Sequence, residues 1–339
     1  MLADWHFHIE ISSKCTLRCP RCPRQEVPDG LINTELNLDF FKRNFTPDFI
    51  KNRLEKITFC GDDGDPIYAH DLVPVIEYIK SVKPVEFVIV TNGSYKNLEW
   101  WTQLGSVLDS RDTVHFSIDG YDNNSNNLYR VNSNWDSIMQ GMKTLRQNSE
   151  CLITWAAIAF RFNEDHLDLM QGIAKDNGAD VFQITLSTKF GSVYDAYGAD
   201  DPLEPSTEFV SNSHRFERRY ITLTPRARPE RIHRINLDLY LDLLNSTQQA
   251  DIIPLCEIGN KGLYINSQGL LYPCCWVATR YNHNAEWHEL AKQFDLNKNL
   301  LQNILKDNFW QTEFRQFRWQ ECRTKCNNKV VDQEYATSW

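Results

Sequence analysis

Six short runs rich in β-branched and aromatic residues, at 5–11, 56–60, 85–91, 113–118, 152–160 and 181–186, punctuate the first part of the chain. The stretches between them, among them 71–82, 135–147 and 164–177, carry apolar residues at helical spacing with polar residues between. Strand, helix and strand in repeated succession predict parallel pairing with right-handed crossovers, and hence an α/β fold. With 339 residues and 42% hydrophobic side chains, the chain is long enough for one large α/β domain and a smaller one.

The exit of the first strand holds the densest chemistry. The run Ile11-Ser-Ser-Lys-Cys-Thr-Leu-Arg-Cys-Pro-Arg-Cys sets Cys15, Cys19 and Cys22 at the spacing C-x3-C-x2-C. Three thiolates leave one iron of a four-iron cubane open to a small molecule, whereas a structural zinc site closes with a fourth ligand nearby. The C-x2-C half alone also fits a zinc knuckle or a redox thiol cluster.

The whole loop resembles that of the radical S-adenosylmethionine (radical SAM) enzymes. The resemblance implies a [4Fe–4S] cluster whose open iron is chelated by the amine and carboxylate of S-adenosylmethionine. It also implies one-electron cleavage to a 5′-deoxyadenosyl radical, which abstracts a substrate hydrogen. For six βα units it implies a partial (β/α)6 barrel over residues 1–190, with function gathered at the C-terminal strand ends as in full barrels. Arg21 stands where this family usually has an aromatic residue near the adenine.

The strand ends follow the resemblance in turn. Cys60-Gly-Asp-Asp-Gly-Asp-Pro66 is similar to the family's glycine-rich segment ending Gly-Glu-Pro, with Asp65 in place of the glutamate. Glycines admit close backbone approach and a carboxylate can pair with the methionyl ammonium, which assigns Gly61, Gly64 and Asp65 to cofactor binding. Thr91-Asn92-Gly93 matches a common family turn and adds Asn92. Ser117 and Asp119, in Ser-Ile-Asp-Gly, suit ribose hydroxyls, although Asp119-Gly120 also reads as a plain turn. Arg130 resembles an arginine positioned to meet the cofactor carboxylate; a salt bridge is the alternative. Glu10 corresponds to a family position facing the barrel interior and marks a polar site. Asp63, His70, Arg161, Gln183 and Lys189 lie near strand ends, and no one of them stands out as a general acid or base.

A second cysteine set, Cys256, Cys274, Cys322 and Cys326, can close a metal centre fully. Residues 262–274 alternate apolar and polar around Ser-Gln-Gly, a hairpin signature that brings Cys256 and Cys274 together. This set resembles the twitch domain, a shortened SPASM module with one auxiliary [4Fe–4S] cluster; a Zn(Cys)4 ribbon is the alternative. Cys275 adjoins Cys274 and is expected to pack inward, and Cys60 and Cys151 read as buried small hydrophobes. The expected organisation is therefore a barrel over 1–190, a bridging segment over 191–250 and a cysteine-rich α+β twitch domain over 251–339.

The formal net charge of −9 disfavours a general nucleic-acid surface. Within 215–234, however, Arg215, Arg218, Arg219, Arg226, Arg228, Arg231 and Arg234 concentrate positive charge, as a solvated face or as a surface for an acidic ligand. Met1-Leu-Ala-Asp-Trp has no signal-peptide character, and no apolar run nears the roughly 18 residues a membrane span needs. A cytoplasmic protein is expected, its clustered cysteines explained by metal. The expected activity is that of a radical SAM oxidoreductase or maturase acting on a peptide or protein, served by an electron donor such as flavodoxin or ferredoxin. Strand 1 begins within the first few residues, so a precursor peptide is expected to bind elsewhere than on a preceding recognition domain. The alternatives are dehydrogenation of a sugar or cyclitol and a non-catalytic iron–sulfur scaffold.

Overall fold

The computed structural model describes residues 5–187, 190, 201–212, 218–227, 263–279 and 285–310. Cys256, Cys322 and Cys326, most of the 191–250 segment, Lys189, Arg215, Arg228, Arg231 and Arg234 lie outside them. The fold is mixed α/β and its strands are mostly parallel: β1 (Trp5–Ile9), β2 (Leu54–Phe59), β3 (Glu86–Thr91), β4 (Thr113–Ser117), β5 (Leu152–Ile158), β6 (Val181–Thr185), β7 (Arg218–Thr222), β8 (Leu263–Ile265) and β9 (Leu271–Tyr272). The first six fall on the six runs expected from sequence. The described residues form two compact units.

One unit takes residues 5–15, Val27–Ile89 and the described residues between 263 and 310. Here β1, β2 and β3 pair in parallel, with Phe7 opposite Ile57 and Ile57 opposite Phe87. The expected hairpin forms: β8 and β9 are antiparallel, and Gly269 supplies the positive φ of +81° that closes the turn. Its first strand also joins β1 in parallel, with Ile9 opposite Ile265, a pairing that local sequence gave no means of expecting.

Helix Leu72–Val82 buries Leu72, Val75, Ile76 and Ile79, a stripe at i, i+3, i+4 and i+7. Each such side chain contributes about 1.5–3 kcal/mol relative to exposure. Ahead of β2 this unit carries the short helices Leu38–Asn44 and Pro47–Arg53, capped by Asn37 and Thr46. They carry Phe41 and Phe45 into a ring cluster in which Phe7 meets Phe45 edge-on at 5.2 Å.

The second unit holds Thr16–Glu26 and the described residues from Val90 to Ala227. Strands β4, β5 and β6 are parallel, and β7 returns antiparallel on β6. Helices Leu98–Val107 and Trp135–Asn148 cover one face, where Trp101 packs on Phe116 at 5.2 Å and Trp135 on Trp155 at 5.9 Å. Because side chains alternate along a strand, the opposite face carries a register row of Ser117, Ala156, Gln183 and Tyr220.

Candidate functional site

In the first unit, β1 ends at Ile9, two residues earlier than sequence suggests, and the chain past it is pinned to a neighbouring loop. The Ser13 hydroxyl donates to the Ile32 carbonyl at 2.7 Å, and the Thr34 N–H donates back to the Ser13 oxygen at 2.9 Å. Cys15, half-buried, follows directly.

The glycine-rich segment is strapped to this same stretch. Glu10, buried, accepts at Oε1 from the Asp63 N–H at 2.7 Å and the Gly64 N–H at 3.0 Å. The Tyr264 hydroxyl donates to Glu10 Oε2 at 3.3 Å. A Cβ on Gly61 would sit 2.6 Å from Glu10 Oε1, and one on Gly64 would collide with the Ser12 carbonyl oxygen, so both positions require glycine. The Asp65 N–H reaches the Lys14 carbonyl at 3.0 Å, while its carboxylate accepts from the Ile67 N–H at 3.1 Å and starts the turn Pro66–Tyr68. Burial, with Asp63 and Asp62 adding negative charge, pushes the Glu10 carboxyl up to about 8, so it is neutral at pH 7.

In the second unit the loop continues through Cys19, buried, and Cys22, half-buried. The Cys22 N–H donates to the Cys19 carbonyl at 3.1 Å as the chain turns into helix Pro23–Glu26. Arg18 and Thr16 are tied through backbone groups to Val131 and the Asn132 side chain. Burial pushes the Cys19 thiol up, and the Arg130 guanidinium opposes that shift.

Arg130 and Asp119 hold each other. The Arg130 Nε donates to Asp119 Oδ2 at 2.6 Å, and the Ile158 N–H donates to Oδ1 at 2.7 Å, which ends β5 two residues before the expected limit. Asp119 is fully buried, and burial raises its carboxyl against the opposing charge of Arg130. Asn92, buried, accepts from the Ser94 N–H at 2.9 Å in the Thr91-Asn92-Gly93 turn, and Ser117 is half-exposed at the last position of β4. Arg21 is buried in an ion pair with Asp201, both side chains almost wholly withdrawn from solvent. Gln183 is 7% exposed; its Nε2 donates to the Thr185 hydroxyl at 3.2 Å, and its buried Oε1 has no hydrogen-bond donor among the described residues.

At the C-terminal hairpin Cys274 is half-buried and Cys275 buried, the inward packing expected of Cys275. Cys60 and Cys151 are also buried, and burial pushes the Cys151 thiol up to about 11, as suits an inert core thiol.

The described cysteines form no disulfide. Among the described residues, no three His, Cys, Asp or Glu side chains gather closely enough for a bare metal ion. By the chemistry of its donors, a set of three thiolates suits a four-iron cubane, each thiolate taking a separate iron.

No protein-family model matches the sequence, and no curated protein matches it. Solved structures do. Streptococcus suis SuiB bound to S-adenosylmethionine superposes with a TM-score of 0.57 at 12% identity, covering 99% of this chain and 72% of that one. SuiB bound to the precursor peptide SuiA gives 0.56 at 13% identity over 94% and 68%. Native anSMEcpe with bound AdoMet gives 0.56 at 14% identity over 98% and 92%. The chain shares their fold. This architecture therefore occurs around bound S-adenosylmethionine in those proteins, in keeping with what the cysteine loop's resemblance implied.

Sequence reasoning left the partners of four residues unread. Glu10 was visible as a charged interior position, but its acceptors' donors lie 53 and 54 residues away. Tyr264 looked like one apolar position of a hairpin, and Asp201 like part of a turn-rich stretch. Gln183 was one of several polar residues near strand ends. For Glu10 the available signal was the polar series His6, His8 and Glu10 alternating with Trp5, Phe7, Ile9 and Ile11 along the first strand.

Proposed function

We propose that this chain is a radical SAM enzyme that modifies a peptide or protein. The observation that carries the reading is an all-cysteine C-x3-C-x2-C loop leaving β1, in a fold found around S-adenosylmethionine. Cys15, Cys19 and Cys22 would hold a [4Fe–4S] cluster. When bound, that cluster and S-adenosylmethionine supply the 5′-deoxyadenosyl radical that takes a substrate hydrogen.

The remaining tasks fall to the chain. Gly61 and Gly64 bring backbone close to the methionyl group, and Asp65 offers it a carboxylate, with Asn92 at the next strand end. Ser117, half-exposed at the end of β4, suits a ribose hydroxyl. Asp119, with both oxygens taken, serves by orienting Arg130, whose charge stands beside Cys19. Cys274, with Cys256, Cys322 and Cys326, would hold one auxiliary [4Fe–4S] cluster of the twitch kind, a suitable acceptor for the electron left on an oxidised substrate. Support for a peptide substrate comes from SuiB and anSMEcpe, whose structures include bound peptides. A flavodoxin or ferredoxin would supply reducing electrons.

The deciding experiment is anaerobic reconstitution with iron and sulfide, followed by S-adenosylmethionine and dithionite, with 5′-deoxyadenosine read by mass spectrometry. The native chain should form it and a Cys15/Cys19/Cys22→Ala variant should not. Absence of product from folded, iron-loaded native protein supplied with candidate peptides would overturn the reading.

A further inference from the structure

Between the buried Cys60 and Pro66, residues 61–65 are two glycines and three aspartates, with no apolar side chain of their own to bury. The conformation of this segment is imposed from outside. The side chain of Glu10 takes two consecutive backbone N–H groups of the segment on one oxygen, and the Gly64 Cα lies flush on the Ser12 and Ser13 backbone. The other Glu10 oxygen is held by the Tyr264 hydroxyl, and Tyr264 packs edge-on against the His8 ring at 5.0 Å. Tyr264 belongs to β8, the first strand of the hairpin that leads to Cys274.

We propose that Glu10 and Tyr264 are positioning residues that set the glycine segment for S-adenosylmethionine, so that the C-terminal hairpin bears on cofactor affinity through the Tyr264 hydroxyl. This rests on the reading of Gly61, Gly64 and Asp65 as cofactor-binding. Two part-buried N–H groups deprived of their shared acceptor would leave the segment free to rearrange, because a donor withdrawn from water costs free energy when unsatisfied. The Tyr264 hydroxyl acts one step further away, through the orientation of the Glu10 carboxyl.

The test is the dissociation constant of S-adenosylmethionine, measured by anaerobic equilibrium dialysis on iron-loaded protein, with iron content recorded for each variant. Glu10→Ala should weaken binding at least about tenfold at unchanged iron per chain. Glu10→Gln retains an acceptor oxygen for the Asp63 and Gly64 amides and should stay within about threefold of native. Tyr264→Phe should weaken binding about threefold alone and not at all in the Glu10→Ala background, since it acts through Glu10. A Glu10→Ala protein that binds as tightly as native overturns the inference and leaves the cofactor reading standing. Native protein that binds no S-adenosylmethionine brings down both. Where Glu10→Ala does not fold, Tyr264→Phe decides: native affinity in that variant overturns the inference.

Discussion

At the scale of single residues, the Asp119 and Arg130 pair and the Gln183 amide make opposite predictions. Removing one member of a buried ion pair strands the other, at about 3–5 kcal/mol. Asp119→Ala and Arg130→Ala should each lower the urea midpoint strongly, and the double variant should cost much less than their sum. Additive losses would show that the two side chains act independently. Gln183 holds a buried acceptor that has no donor among the described residues, a group that costs about 1–3 kcal/mol to bury unsatisfied. Gln183→Leu should therefore leave stability unchanged or raise it by about 1 kcal/mol, read from the same denaturation curve; a loss would mean the amide is satisfied. The three cysteines of the first loop stand out in the sequence because the chemistry proposed for them is written in local spacing. The Asp119 pairing was not, because Ser-Ile-Asp-Gly looks the same whether its carboxylate faces water or a buried guanidinium.

At the scale of elements, the strands were legible because burial on both faces writes a continuous apolar run, as in Phe87, Val88 and Ile89 of β3. Their ends were not: Glu10 leaves the β1 pattern to serve the glycine segment, and Asp119 caps β5 from another strand end. The hairpin was legible from its turn, while its pairing with β1 depends on residues more than 250 positions apart. The glycine segment and β1 exit carry a pH signature. Glu10 titrates near 4.5 when exposed and about 8 in the fold. Between these values the unfolded chain has lost its proton and the folded chain has kept it, so the stability from this group falls as pH rises from about 4.5 to 8 and levels above. Thermal unfolding across that range should show the decline in the native protein, and Glu10→Gln should flatten it. Parallel curves for both proteins would remove Glu10 as the cause.

At the scale of the whole molecule, the two proposed cluster sites predict about eight irons per chain after reconstitution, two four-iron cubanes. Substituting Cys256, Cys274, Cys322 and Cys326 with alanine should lower this to about four, while Cys275→Ala, at a buried position, should leave it near eight. An unchanged count after the fourfold substitution would remove the auxiliary site. Among the described residues no helix is long and apolar enough to cross a membrane. Within the arginine-rich stretch, Arg226 pairs with Glu150 and Asp180 and so contributes to local structure.

The Arg21 and Asp201 pair has a consequence for descent. A mutation at either position alone exposes the lineage to the penalty of a stranded buried charge, so drift at these sites is blocked unless both change within a short interval. Relatives of this chain should therefore fall into two groups. One carries the arginine together with the aspartate 180 positions downstream; the other carries neither.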